Sequence, residues 1–246
     1  MVGQSAGPVA SNRIDRPGTA EESWEAWAGL RQLPAADPLD WPSAVIVAAH
    51  PDDEILGAGG TMALLAAAGA RLRLIAVTDG EASHPGADPE AIARVRTAES
   101  AAARHVLGAG DIEVIRLRFP DTALSDREDE LAVRLRELCA GFDVCLAPWE
   151  ADAHADHEAA GRAARRTGQR VLSYPVWMWH WAEPADRRVP WPRACRVPLT
   201  PGVAARKADA IQAFASQLTD RPGATGPVLA PGIVAHFIRP VEVLLR

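Results

Sequence analysis

Ala44-Val45-Ile46-Val47-Ala48-Ala49-His50-Pro51-Asp52-Asp53-Glu54 decides how the rest of the chain is read. Its first six residues are apolar without interruption. Such a run reads as a strand buried on both faces, the pattern of a parallel sheet. Working outward, Leu72 to Val77 is apolar apart from Arg73, Val144 to Ala147 is wholly apolar, and Val171 to Pro175 reads as a further strand. Ile112 to Leu117 is more mixed and belongs nearer an edge. Helical stretches separate these runs: Gly60 to Ala68, Pro89 to Leu107, Arg127 to Ala140 and Asp156 to Arg166, with Gly108 placed to stop the second of them. Alternation of strand and helix predicts an α/β domain built on a mostly parallel sheet. A helix is expected over Ala204 to Leu218. One or two strands are expected within His236 to Arg246, where Pro240 points to an edge position.

Ahead of this pattern lies a loose arm to about Pro17. Thr19-Ala20-Glu21-Glu22 has the form of a capping box. Trp24, Trp27 and Arg31 follow at helical spacing, and Pro34 ends that helix. Residues 1–42 are therefore read as an arm and helix packed on a single main domain, 43–246.

The 246 residues are 48% hydrophobic and 24% charged, which excludes wholesale disorder. A formal charge of −6 argues against nucleic acid as a partner. Cys139, Cys145 and Cys195 lack metal-site or disulfide spacing and read as buried free thiols. No apolar run reaches the ~18 residues of a membrane span. The first twenty residues lack the apolar core of a signal peptide, so the expected location is the cytoplasm.

In open parallel sheets the functional loops follow the carboxyl ends of the strands. Titratable residues gather at four such exits: His50 to Glu54, Thr78 to Glu81, Phe119 to Asp121 and Glu150 to His157. Three carboxylates crowded behind one histidine resist ionising together. A divalent cation relieves that conflict, and imidazole with carboxylate suits zinc or ferrous iron. The second cluster, His154-Ala155-Asp156-His157, begins a helix, so its side chains project from the same end of the sheet. His50, Asp53 and His157 would form a two-histidine, one-carboxylate site with a coordination position open for water.

Ala49-His50-Pro51-Asp52-Asp53-Glu54 with Gly57 and Gly59-Gly60, followed by His154-x-Asp156-His157, resembles the PIG-L/LmbE family of metal-dependent N-deacetylases. Thr78-x-Gly80-Glu81, Arg96-x-x-Glu99, Pro120-Asp121 and the stretch from Lys207 to Ser216-Gln217 match lesser family positions in the same order. The resemblance implies a Rossmann-like, LmbE-type fold with helices on both faces of the sheet. It implies His50, Asp53 and His157 as ligands of Zn2+, or of Fe2+ or another divalent ion. Asp52 resembles the general base, His154 the cationic group that meets the oxyanion and helps protonate the leaving amine, and Asp156 the carboxylate that orients His154. Arg96 and Asp121 resemble sugar-binding positions. The implied substrate is a small N-acylated molecule, an N-acetylated amino sugar or related metabolite. The substrate's identity, the acyl length and the oligomeric state stay open.

Other readings exist. Gly57, Gly59 and Gly60 after a strand suggest a dinucleotide site, but the full glycine fingerprint is missing and carboxylates fill the turn where phosphate would sit. A metal-dependent phosphoesterase is a rival enzyme. A carbohydrate-binding protein without catalysis is a third reading, drawn from Trp177, Trp179 and Trp181. On a strand these three would share one face, and that face, with His180 beside it, would wall either the core or the substrate pocket.

Overall fold

The computed structural model describes Ile14, residues 17–221 and residues 226–246. The arm expected up to Pro17 falls almost wholly outside these residues.

Seven strands form one sheet: β1 (Ser43–Ala48), β2 (Arg71–Ala76), β3 (Glu113–Arg116), β4 (Val144–Pro148), β5 (Val171–Tyr174), β6 (Ala194–Pro198) and β7 (Val241–Leu245). Their order is β3-β2-β1-β4-β5-β7-β6. The first five run parallel, and β7 pairs antiparallel with both β5 and β6. The long helices are α3 (Asp53–Ala67), α4 (Pro89–Leu107), α5 (Glu128–Cys139), α6 (Ala155–Arg165) and α8 (Pro201–Ile211). Short ones are α1 (Glu21–Ala26), α2 (Ala28–Gln32), α7 (Met178–Trp181), α9 (Ala215–Leu218) and α10 (Pro231–Ala235).

Strand β1 shows why an unbroken apolar run was needed. Ala44, Ile46 and Ala48 join a core made with α3, α4 and α8, whereas Val45 and Val47 join another made with α5 and α6. The strand therefore has no solvent side. All three cysteines are buried and free.

The chain runs from β1 outward through β2 to β3, then crosses back to β4 and proceeds the other way to β5. The reversal point lies between β1 and β4. In doubly wound sheets this is where a crevice opens at the carboxyl ends of the strands. The loops leaving β1 and β4 are those that carry His50 and His157.

Several expectations need correction. Helix α3 starts at Asp53 rather than near Gly60 and runs through all three glycines. Those glycines allow close packing: a Cβ on Gly57 would stand 2.0 Å from the Tyr174 ring, and one on Gly60 would stand 2.5 Å from Leu199. The capping box does not form. Thr19 donates its hydroxyl to the Ala182 carbonyl, 2.6 Å away, and Ala20 precedes α1 with no side-chain cap. Trp27 divides the expected single helix into α1 and α2. The final strand β7 is interior, because Pro240 stands just before it and leaves the ladder intact. The edge strands are β3, as its mixed sequence predicts, and β6, from a Trp- and Pro-rich stretch whose pattern assigns no element. Residues 34–36 run beside β6 through Arg196 N–H to the Pro34 carbonyl and Ala36 N–H to the Arg196 carbonyl, which covers that edge.

The N-terminal helices are tied to the sheet's far end. Trp24 is fully buried, edge-on to Trp179 with ring centroids 5.0 Å apart, and donates its indole N–H to the Trp179 carbonyl. Glu21 accepts from His236 and from the Arg239 guanidinium.

Candidate active site

Three ligand-type atoms converge at the reversal point. His50 Nδ1 lies 3.3 Å from His157 Nε2 and 3.4 Å from Asp53 Oδ2, and His157 Nε2 lies 3.2 Å from Asp53 Oδ1. His50 is carried by the exit of β1, Asp53 by the first position of α3, and His157 by the first turn of α6. A ring nitrogen of His154 lies within 4.8 Å of nitrogens of His50 and His157. Two neutral imidazoles and one carboxylate at such mutual distances fit a divalent cation of the zinc type.

Surrounding carboxylates set the tautomers. His157 donates from Nδ1 to Asp152 Oδ2 at 2.7 Å, which leaves Nε2 for a ligand bond. His50 Nε2 faces Asp156 Oδ2 at 3.1 Å and Asp121 Oδ1 at 3.3 Å, which leaves Nδ1 free. A second hydrogen-bonded layer of this kind orients metal-binding histidines and raises their basicity. Asp152 was visible in the sequence only as one acid in a loop. It is fully buried, and besides His157 it accepts from the backbone N–H groups of Val176, Trp177 and Met178. No spacing rule could have paired it with a turn twenty-odd residues further on.

Asp156 does not act on His154 as the resemblance implied. Its carboxylate bonds His50 and the backbone N–H groups of Thr122 and Leu124. That loop, and not the HxDH spacing, fixes which ring it reaches. His154 instead caps α6, with Nδ1 accepting from the Asp156 N–H at 3.3 Å. Burial, then the neighbouring His157 and His50, hold its pKa down at about 3. Those influences work against the cationic imidazole that the resemblance implied, and the Asp156 N–H at Nδ1 leaves Nε2 as the ring atom able to carry a proton.

Asp52 sits beside the ligand group in a strained conformation, φ 139°. Its carboxylate accepts from Arg96 at 3.0 Å, and its N–H donates to Glu54. Burial pushes its pKa up to about 7, with Arg96 pulling against that and Asp53 adding to it. Arg96 is buried and also donates to the carbonyls of Gly80 and Pro51, so it holds Asp52 and lines the cleft at once. Gly80 is required here: a Cβ would stand 2.0 Å from the Arg96 guanidinium, and φ is +69°. Asp121 also lines the cleft. Burial opposes its ionisation, but His50 and the Ala82 N–H hold its pKa at about 2.

The cleft is lined by the apolar Leu56, Val176, Trp177, Val228 and Leu229 and by polar residues that include Ser83, Arg96, Gln217 and Arg221. Gln217 was marked in the sequence only by its place in the stretch that resembles the family's late helix, and Arg221, Val228 and Leu229 carried no readable signal as lining residues. The Trp segment is helical, because Asp152 gathers the N–H groups at its start, and so the three Trp residues point different ways. Trp177 lines the cleft, Trp179 packs on Trp24, and Trp181 stacks on Trp149. Trp179→Ala is expected to lower stability by about 3–5 kcal/mol with KM unchanged. Trp177→Ala, at a half-buried site, is expected to raise KM with a much smaller loss of stability. Thermal melts and steady-state kinetics on the two variants check this split.

Ligand availability sets a pH dependence. Burial works against a charged His157, yet Asp53 and Asp152 push its pKa up to about 9, and Asp121, Asp156 and Asp53 raise His50 well above its ordinary value. His157 is therefore protonated at neutral pH before a cation arrives and His50 is held toward its charged form, and binding must expel the protons they carry. Raising the pH toward 9 favours the metal. Affinity for Zn2+ is expected to climb by about one to two powers of ten per pH unit between pH 6 and 8, one for each proton released. Calorimetry in buffers of different ionisation enthalpy counts the protons.

The fold and this centre define a doubly wound α/β protein with a metal-competent two-histidine, one-carboxylate site at its switch point. The family model described as PIG-L, GlcNAc-PI de-N-acetylase, matches residues 45–167, half of the chain, and the chain belongs to that family. A curated relative from Kineococcus radiotolerans, 1D-myo-inositol 2-acetamido-2-deoxy-alpha-D-glucopyranoside deacetylase, is 41% identical over 87 residues. Those residues are 32% of this chain and 24% of the relative, so the match spans about a quarter of that protein's length. A conserved protein from Thermus thermophilus has the same fold, with 27% identity and a TM-score of 0.59 over 82% of this chain and 93% of that one. N,N'-diacetylchitobiose deacetylase from Pyrococcus horikoshii shares the fold at 20% identity, TM-score 0.58, over 84% and 82% of the two chains. Among the described residues no helix is long and apolar enough to cross a membrane.

Proposed function

We propose that this protein is a zinc-dependent hydrolase that removes the acetyl group from an N-acetylated amino sugar or a related small metabolite. Residues 43–246 form its catalytic unit, and within the N-terminal segment 1–42 the described residues 17–42 pack upon it. The observation that carries the reading is the convergence of His50, Asp53 and His157 with Asp52 held beside them, in a cleft lined by both polar and apolar side chains. The inositol-linked acetamido sugar named for the Kineococcus relative belongs to the same substrate class.

His50, Asp53 and His157 would hold a divalent cation, which would supply polarisation of an amide carbonyl and a water acidic enough to give up a proton near neutrality. Asp52, with its pKa near 7, accepts the proton from the attacking water and can return it to the departing amine. A base whose pKa lies close to the working pH suits both transfers. The C–N bond breaks, leaving acetate and a free amine. His154 donates from Nε2 to the carbonyl oxygen as negative charge grows there, a contact stronger in the transition state than in the ground state. Arg96 keeps Asp52 in place, and Trp177 offers a flat apolar face to one side of a sugar ring.

The test is release of primary amine from a panel of N-acetylglucosamine derivatives. Amine release that stops with a chelator and returns with Zn2+ is the expected result. No amine from any member, with hydrolysis of p-nitrophenyl phosphate instead, would replace this reading by the phosphoesterase one. Sugar binding that persists without metal and without hydrolysis would replace it by the carbohydrate-binding one.

A further inference from the structure

Lys207 on α8 and Glu242 on β7 are buried charges that the proposed reaction does not use. They are 2% and 4% exposed, and Lys207 Nζ lies 2.7 Å from Glu242 Oε1. The pair's other bonds all go to α3. Lys207 donates to the Leu56 carbonyl at 2.8 Å. Glu242 accepts from the Gly60 N–H at 2.6 Å, the Thr61 N–H at 2.8 Å and the Thr61 hydroxyl at 2.7 Å.

The Leu56 carbonyl and the Gly60 N–H are the two groups that an undisturbed helix joins to each other. Here each one carries a bond to the ion pair. Insertion of a polar group into the helix ladder bends the helix or separates its turns. α3 is nonetheless one continuous helix, and the turn these bonds tether is its first, residues 53 to 56, which carries Asp53 and follows directly from Asp52.

That turn needs an external hold. Asp52 has φ 139°, and strain of this kind persists only where the surroundings over-determine it. On one side Arg96 holds the Asp52 carboxylate and the Pro51 carbonyl. On the other, the Asp52 carbonyl accepts from the N–H groups of Ile55 and Leu56, and the Leu56 carbonyl is held by Lys207. The strained residue is thus fixed between two cations, Arg96 ahead of it and Lys207 behind.

We propose that the Lys207–Glu242 pair positions the first turn of α3, and through it Asp53 as a metal ligand and Asp52 as the base. Both are positioning residues, remote from the reacting atoms. The inference rests on the metal-dependent reading given above. A purely structural ion pair behaves differently, because replacing a buried pair by apolar residues of similar size is often neutral or stabilising. Stability and site geometry can therefore be separated.

The test is the double variant Lys207→Met/Glu242→Leu, studied in the full chain beside the parent. Its metal-free melting temperature should match or exceed the parent's. Its affinity for Zn2+, measured by chelator competition, should fall roughly 10–100-fold, the usual effect of losing an outer support of a metal ligand. At saturating zinc, kcat for amine release from N-acetylglucosamine derivatives should fall while KM stays within about twofold. A stable double variant with the parent's zinc affinity and kcat overturns the proposal and leaves the pair structural. Thr61→Val removes one bond to Glu242 without touching a charge, and it should shift zinc affinity and kcat in the same direction by a smaller factor. If the double variant fails to fold and Thr61→Val is indistinguishable from the parent, the proposal is likewise overturned. A parent protein that binds no zinc defeats the underlying metal-dependent reading, and this inference with it; the parent's own titration shows that case directly.

Discussion

Asp52→Asn is expected to keep Zn2+ at the parent's affinity and to lower kcat by about 10²–10⁴-fold, the usual contribution of a positioned general base. The amide has nearly the same shape as the carboxylate. One of its oxygen positions can still accept from Arg96, which lies 3.0 Å from Asp52 Oδ2, and the backbone bonds of residues 50 to 56 involve no side-chain atom of Asp52. The ligand atoms of His50, Asp53 and His157 are therefore undisturbed. What disappears is a group able to take a proton near neutrality. Burial alone would push the Asp52 carboxyl well above its ordinary range, and Arg96 restrains it to about 7. A neutral amide has no comparable proton affinity. KM should change little, because Asp52 acts on the attacking water and not on the sugar. Zinc content with kcat and KM on purified Asp52→Asn checks the expectation. Full activity would transfer the role to another carboxylate, and Glu54 is poorly placed for it: it is fully buried, and its oxygens are occupied by Ser100 and the Asp52 N–H.

The parts of this site that were legible in the sequence share a physical cause. A strand buried on both faces has no room for polar residues, so the change at Ala49-His50 marks the sheet's end unambiguously. The charged residues just beyond it must then lie at the strand exit. The same reasoning placed His154 to His157 after β4. What could not be read depended on contacts between distant segments. Three glycines within four residues weaken the case for helix, yet α3 runs through them because Tyr174, Leu199 and the Lys207–Glu242 pair press close against it. Alternating Trp residues suggest a strand until Asp152, from another loop, collects three successive N–H groups and turns the segment into helix. Asp156 was correctly expected at the start of α6. Its partner was not predictable, since the backbone of Thr122 and Leu124 decides that its carboxylate faces His50. The lowered pKa of His154 also escaped sequence, because it depends first on burial and then on two imidazoles from separate strand exits.

His157→Ala is expected to abolish measurable metal binding at micromolar Zn2+ while the metal-free protein still folds. Structural zinc sites of four ligands bind with about 10–16 kcal/mol, so one ligand accounts for roughly 3–4 kcal/mol, or on the order of 10²–10³-fold in affinity. His157 is 1% exposed, but its surroundings are held without it. Asp152 keeps its three backbone donors at Val176, Trp177 and Met178, and Asp53 keeps the His50 N–H at 2.8 Å. In the metal-free protein, stability from His157 comes from its raised pKa, about 9 against an ordinary 6.5. That contribution is complete below about 6.5 and is lost as pH rises through about 9. The melting temperature of metal-free His157→Ala should consequently fall furthest behind the parent's in acid and approach it in alkali. Asp152→Asn separates support from coordination. It keeps the ring but weakens the hydrogen bond at Nδ1, so zinc affinity should drop by the smaller 10–100-fold typical of an outer partner. Chelator competition on the two variants ranks them. Equal and parent-like zinc affinity in both would mean that the cation binds elsewhere, with the second group of donors, His50, Asp121 and Asp156, as the nearest alternative.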